Sequence, residues 1–267
     1  MTTPSRLVLA ASTLFAAALL VAGCATSPGS STPTSSATPD DSGSATAPPA
    51  EDDIEAAWLD DGRMFAIVTW GSSTCVPIVD EVTADGQKVT VSLVDPPSSD
   101  GAEQACTADL APRASVGGMP EGVDPTKDVE FVVTVGDVTD DVDLDGNSAL
   151  TGTPGSSTEY APSAGWFDDD DGAVLLTWGS STCPPIVESV EEQQGGATVT
   201  FMTEDGVCTM DMVPRATVLA FGSDDGSDDG SDEGNDDGSD DDDQDDGEFV
   251  LTLVGGNLDG TVSVIKG

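Results

Sequence analysis

The sequence predicts an all-β protein built from two tandem copies of one small β-sandwich or barrel-like domain, each closed by one disulfide. Three observations carry this expectation. The run Thr69-Trp70-Gly71-Ser72-Ser73-Thr74-Cys75 returns as Thr177-Trp178-Gly179-Ser180-Ser181-Thr182-Cys183, and three further blocks return in the same order. Short apolar runs alternate with Thr and Ser, as at Val89, Val91 and Leu93 or at Val199 and Phe201, which is the period of a half-buried strand. Within the copies no stretch sustains the 3.6-residue apolar period of an amphipathic helix.

Before the copies lie two segments of different character. Residues 1–23 read as an export signal: Arg6 is the positive n-region, Leu7 to Val21 is an apolar run too short for a comfortable membrane span, and a Cys follows at position 24. Residues 24–52 are rich in Ser, Thr, Pro and Gly. They lack the apolar surface needed to offset ordering entropy, and are expected to form a disordered tether.

The first copy is placed at residues 53–147. Met64 to Trp70 is apolar on both faces, as a central strand would be, and Asp60-Asp61-Gly62 and Asp85-Gly86 are turn signals on either side of it. A linker is expected at 148–160. The second copy, 161–267, repeats the plan, with Trp166-Phe167-Asp168-Asp169 answering Trp58-Leu59-Asp60-Asp61. Cys208 to Arg215 answers Cys106 to Arg113, and Phe249 to Leu253 answers Phe131 to Val135. Six or seven short strands are expected in each copy. The second copy differs by an insertion of Asp, Gly and Ser at 222–247, expected to be a solvated surface loop.

The ending Val21-Ala22-Gly23-Cys24 resembles the lipobox of bacterial lipoproteins. That resemblance implies cleavage before Cys24 and lipidation of its thiol, a partnership with the membrane through the anchor, and a place on the extracellular face of the cell membrane. The copies themselves are similar to domains of uncharacterised secreted lipoproteins of actinobacteria, through the Trp-Gly-Ser-Ser-x-Cys-Pro run and the later Cys-Thr-x-Asp. This resemblance brings no activity with it.

With Cys24 assigned to the lipid, four Cys remain, two in each copy. Three pairings are open to four Cys, but the duplication favours pairing inside each copy, Cys75 with Cys106 and Cys183 with Cys208. An exported chain meets an oxidising environment in which such bonds persist.

Charge and composition exclude several functions. The net charge is −44, from 51 acidic and 7 basic residues, so nucleic acid is not an expected partner and a cation or basic protein is. There is no His, which removes the commonest general base and every Ser–His or Cys–His nucleophile. The Gly71-Ser72-Ser73-Thr74 run lacks the Gly-x-Ser-x-Gly elbow and is expected to be a strand-ending turn with its hydroxyls bonded locally. Arg113 and Arg215 follow Pro at matching places, and Asp109 and Asp211 are the carboxylates expected to pair with them. Asp141, Asp143 and Asp145 have the spacing of the first half of a calcium loop, but Gly152 stands where its bidentate Glu belongs. The alternative for that segment is a final strand with Val142 and Leu144 facing the core. No cofactor is expected beyond loosely bound calcium.

These readings converge on a non-catalytic, lipid-anchored surface protein that binds or interacts through its loops. The alternative is an extracellular protease inhibitor, its substrate-like loops being Cys75-Val76-Pro77 and Cys183-Pro184-Pro185.

Overall fold

A computed structural model of the protein describes residues 54–96, 105–168, 172–203, 206–222 and 248–267. The expected signal peptide, Cys24, the tether and residues 223–247 of the acidic insertion lie outside them. The described residues belong to one compact unit, Ala47–Gly267.

The fold is all-β, with seven strands in each copy among the described residues. The first copy contains β1 (Glu55–Leu59), β2 (Met64–Gly71), β3 (Ile78–Asp85), β4 (Lys88–Val94), β5 (Ala111–Gly118), β6 (Val129–Val135) and β7 (Val138–Leu144). The second contains β8 (Ser163–Asp168), β9 (Gly172–Gly179), β10 (Val187–Gln193), β11 (Gly196–Phe201), β12 (Val213–Ala220), β13 (Val250–Gly255) and β14 (Gly260–Ile265). The first copy has an antiparallel sheet of three strands, β1-β2-β5, and a four-stranded sheet, β3-β4-β6-β7, whose inner pair is parallel. The second copy repeats both strand orders, β8-β9-β12 and β10-β11-β13-β14 with its inner pair parallel, but β14 pairs with β8 and joins them into one seven-stranded sheet. Both faces of that inner pair's neighbourhood follow the alternation in the sequence: Val89, Val91 and Leu93 of β4 are buried, and Thr90 between them is exposed.

Each copy keeps its own core. In the first, Trp58, Phe65 and Ile67 of the three-stranded sheet meet Val91, Val129, Phe131 and Val133 of the four-stranded one. The Phe65 and Phe131 ring centroids lie 5.0 Å apart. In the second, the corresponding cluster centres on Trp166, Leu175, Val199, Phe221 and Leu251.

A third cluster belongs to both copies. Ala57, Leu59, Ala66 and Val68 pack with Phe167, Val174 and Leu176. This explains why β2 is apolar on both faces: Phe65 and Ile67 enter the first copy's core, while Ala66 and Val68 enter the seam. Along the seam β1 lies against β8, and β5 against β12. The approach is close enough that a Cβ on Gly165 would sit 2.0 Å from the carbonyl oxygen of Trp58. A buried hydrogen bond, Asp60 N to Ser163 Oγ at 2.8 Å, crosses the same seam.

The segment expected as a linker is sewn to the first copy for much of its length. Leu150 is buried in that copy's core. The backbone N–H and the hydroxyl of Thr151 both donate to the Asp61 carboxylate, at 3.0 and 2.8 Å, and Gly152 N–H donates to Asp61 O at 2.9 Å. Asp61 presents these acceptors from a left-handed turn, φ 55°.

Candidate functional site

The most organised surface feature is the tip at the end of β2, and it occurs again at the end of β9. The tip is built from the sequence run that defines the repeat. After Gly71 the chain turns through Ser72-Ser73-Thr74, closed by Cys75 N–H donating to Ser72 O at 3.2 Å. Cys75 is bonded to Cys106, and Cys183 to Cys208, the pairs expected within each copy. Loops of this size contribute about 3–4 kcal/mol per bridge on the chain-entropy account.

The hydroxyls of the tip bond to one another and to one carboxylate, Asp109. Ser72 Oγ lies 2.8 Å from Thr107 Oγ1 and 3.2 Å from Thr74 Oγ1, and Thr107 N–H donates to Thr74 Oγ1 at 3.1 Å. Asp109 gathers the group: it accepts from Thr107 Oγ1 and, with both oxygens at 3.3 Å, from Ser73 N–H. Hydrogen bonds from Ser73 and Thr107 hold Asp109 at about 2, below its ordinary 3.8. Ser181 and Thr209 hold Asp211 at about 2 in the same way.

The expected ion pairs Arg113–Asp109 and Arg215–Asp211 are not what the structure forms. Each guanidinium lies flat over the Gly of the tip and donates to carbonyls. Arg113 Nη1 donates to Cys75 O at 2.7 Å, and Nη2 reaches Trp70 O at 3.4 Å. Arg215 Nη1 donates to Cys183 O at 2.8 Å and Nη2 to Trp178 O at 2.9 Å. The cross-strand register sets this up, because Arg113 stands opposite Thr69 and Arg215 opposite Thr177. Gly71 and Gly179 are the room the guanidinium needs: a Cβ would come within 2.6 Å of Arg113 Cζ or 2.8 Å of Arg215 Cζ. Burial pushes the Arg113 pKa down, partly offset by the attraction of Asp95 and Asp109, and burial likewise lowers that of Arg215.

The two proposed inhibitor loops differ in access. In the first, Val76 is half-buried and Pro77 buried, its carbonyl accepting a 2.8 Å hydrogen bond from Ser115 Oγ. In the second, Pro184 is exposed and Pro185 half-buried.

The calcium candidates lie on β7 and just beyond it. Asp141 and Asp143 alternate along an extended strand, roughly 7 Å apart along the backbone, paired with Val132 and Glu130 of β6. Extended backbone spreads these carboxylates instead of curling them around one point. Asp145 follows the strand, and it is its backbone oxygen that is used, accepting from Trp58 Nε1 at 2.8 Å. Val142 and Leu144 pack on the core between them. Among the described residues no group of three or more His, Cys, Asp or Glu is arranged to hold a metal ion.

Sequence reasoning does not single out one further feature. Beside the second disulfide, Val207 and Met210 are fully exposed, with Met212 61% and Met202 50% exposed. The available signal is the variable position of Cys-Thr-x-Asp, which is Ala108 in one copy and Met210 in the other. Comparison of the chain with protein families, with curated proteins and with solved structures returns no match.

Proposed function

We propose that this protein is a non-catalytic binding module, held at the outer face of a cell membrane through Cys24 and presenting its two disulfide-closed tips to an extracellular partner. The observation that supports it most is the duplicated bracing of the tips. Disulfide, Arg-over-Gly lid and Asp-anchored hydroxyls fix the same loop twice, on a surface where core packing does not require it. A loop fixed in advance loses little entropy on binding. The tip hydroxyls are bonded into the turn, which suits a scaffold better than a nucleophile. The buried Pro77 weighs against a substrate-like inhibitor loop in the first copy.

The anchor is tested by replacing Cys24→Ser. The variant is expected to leave the membrane fraction or to accumulate as uncut precursor, and a variant that matures and partitions into detergent like the wild type would remove the anchor from this reading. The binding role is tested by capture from cell-envelope extract with the wild-type chain and with Asp109→Ala/Asp211→Ala, which loosens both tips. A partner retained by the first and lost by the second supports the module. Equal capture by both chains, or none by either, counts against the tips.

A further inference from the structure

The exposed apolar residues beside the second disulfide stand on segments that the fold ties to one another. Ile186 O accepts from Met202 N–H at 2.9 Å, so these two residues face each other at the ends of β10 and β11. The Cys183–Cys208 bond, with Cα atoms 5.6 Å apart, ties the segment before Ile186 to the one carrying Val207 and Met210. Met212 directly precedes β12. The disulfide, the Ser181 N–H bonds to Asp211 and the Arg215 bond to Cys183 O thus hold the segments that carry these residues beside one another at this corner.

The first copy carries the same corner in smaller form. Ile78, Val94 and Leu110 occupy the places of Ile186, Met202 and Met212, and all six are exposed. Ala105 and Ala108 stand where the second copy has Val207 and Met210. Exposed apolar residues at the same three places of both copies are not the isolated ones that any surface tolerates, and grouped ones mark an interaction surface. Methionine on such a surface adapts its shape to what it meets.

Charge selects the occupant. Glu188 projects at the bulge of β10 and Asp211 at the tip, both exposed. The one cation of the tip, Arg215, is committed to Cys183 O and Trp178 O. With a net charge of −44, the chain repels anionic lipid, nucleic acid and a second copy of itself. A polypeptide bearing both Lys or Arg and apolar side chains meets both features at once.

We propose that the corner formed by Ile186, Met202, Val207, Met210 and Met212, flanked by Glu188 and Asp211, is a docking surface for a cationic amphipathic segment of another protein. This rests on the binding-module reading and names the surface and the partner class for it.

The test uses two labelled synthetic peptides of equal length and charge, one alternating Lys with Leu and one alternating Lys with Ser, titrated into the full chain carrying Cys24→Ser. The Lys/Leu peptide is expected to bind about tenfold tighter or better. The substitutions Val207→Ser, Met210→Ser and Met212→Ser together change no charge and touch residues outside the core. They are expected to bring Lys/Leu binding down to the Lys/Ser level, while Leu110→Ser in the first copy has a smaller effect. Unchanged near-ultraviolet circular dichroism and the absence of free thiols verify that the variant is folded. If the triple variant binds the Lys/Leu peptide as the wild type does, the corner is not the docking surface, though the module reading survives elsewhere on the molecule. If the wild type binds both peptides equally or neither, the partner class is wrong, and envelope capture still decides the module reading separately. Concentration-dependent association of the wild type, or its binding to phosphatidylcholine vesicles, lost in the triple variant, would assign the corner to a second copy or to lipid and overturn the proposal.

Discussion

The first and second copies build their tips from the same contacts yet close their sandwiches differently. In the first copy the two sheets stay separate and are tied by the Trp58 indole donating to Asp145 O. In the second, β14 pairs in parallel with β8, making one seven-stranded sheet, and Trp166 Nε1 is buried without a partner. Trp166 is instead packed edge-on against Phe221 and Phe249, with ring centroids 5.2 and 4.9 Å away. A side-chain hydrogen bond and a short run of backbone pairing thus serve the same end, joining sheet to sheet. The tip has no such freedom, because the space above Gly71 and Gly179 admits a guanidinium only while no Cβ is there. Where two copies in one chain agree, the reason is steric; where they differ, two physical solutions exist.

The largest expected effect comes from removing the disulfides, and it sharpens the comparison by its asymmetry. Cys75→Ser/Cys106→Ser and Cys183→Ser/Cys208→Ser should each cost about 3–4 kcal/mol. The first pair should cost more, because Cys75 is buried and its replacement leaves a hydroxyl without water, whereas Cys183 is half-exposed. Urea unfolding followed by tryptophan fluorescence measures both. Equal losses would show that burial of Cys75 adds nothing to loop closure.

A second substitution tests whether the seam binds the copies into one cooperative unit. Gly165→Ala puts a methyl group into the carbonyl of Trp58, and backbone cannot give way as a side-chain end can. Overpacking of this kind costs about 1–3 kcal/mol. The counterpart in the first copy is already Ala57, so the reverse change, Ala57→Gly, should cost about 1 kcal/mol or less. Calorimetry is expected to show the single transition of the wild type broadening or splitting in Gly165→Ala. An unchanged single transition would mean that the seam carries little of the coupling.

Much of this architecture is legible in the sequence. The repeat, the β period at Val89, Val91 and Leu93, and the pairing within copies all follow from local pattern and duplication. The seam was half-legible: β2 reads as apolar on both faces, but only the fold says that its second face meets the other copy. Asp61 reads as a turn residue, and nothing local announces that Thr151 and Gly152 return to it across a long span of chain. The mistaken ion pairs have a definite cause. Asp109 and Arg113 are close in sequence and opposite in charge, but β5 aims Arg113 across the sheet to Gly71, while Asp109 stays with the turn. Proximity in sequence is a poor guide when a strand intervenes.

The tip comparison can be broken by mutation of its lid. Gly71→Ala and Gly179→Ala should each displace the guanidinium and leave carbonyls of Cys75 or Cys183 and the neighbouring Trp without their donor, costing about 1–2 kcal/mol. Arg113→Lys and Arg215→Lys retain the charge but lose the planar fork, so they should cost about 1 kcal/mol. Thermal unfolding of the four variants is expected to order them alike in both copies. A large loss in one copy alone would show that the matching geometry conceals unequal energetics.

The smallest effect is expected from acid. Asp109 and Asp211 are each held at about 2 against an ordinary 3.8, so the folded state prefers their charged form. A carboxylate depressed in this way adds stability that is fully present above about pH 4 and is lost as pH falls from there towards 2. Asp124 is held at about 2 as well, by hydrogen bonds from Lys127 and Thr126, but it lies in the connection between β5 and β6 and so belongs to the first copy only. All three groups are exposed, which keeps each contribution small. Carboxyl carbon shifts recorded against pH should therefore show Asp109, Asp211 and Asp124 all titrating below the ordinary carboxylate range, each independently of the others. Replacing Thr107→Val should raise the Asp109 value towards the ordinary range and leave Asp211 where it is. A parallel rise at Asp211 would mean that the two tips are coupled through the seam.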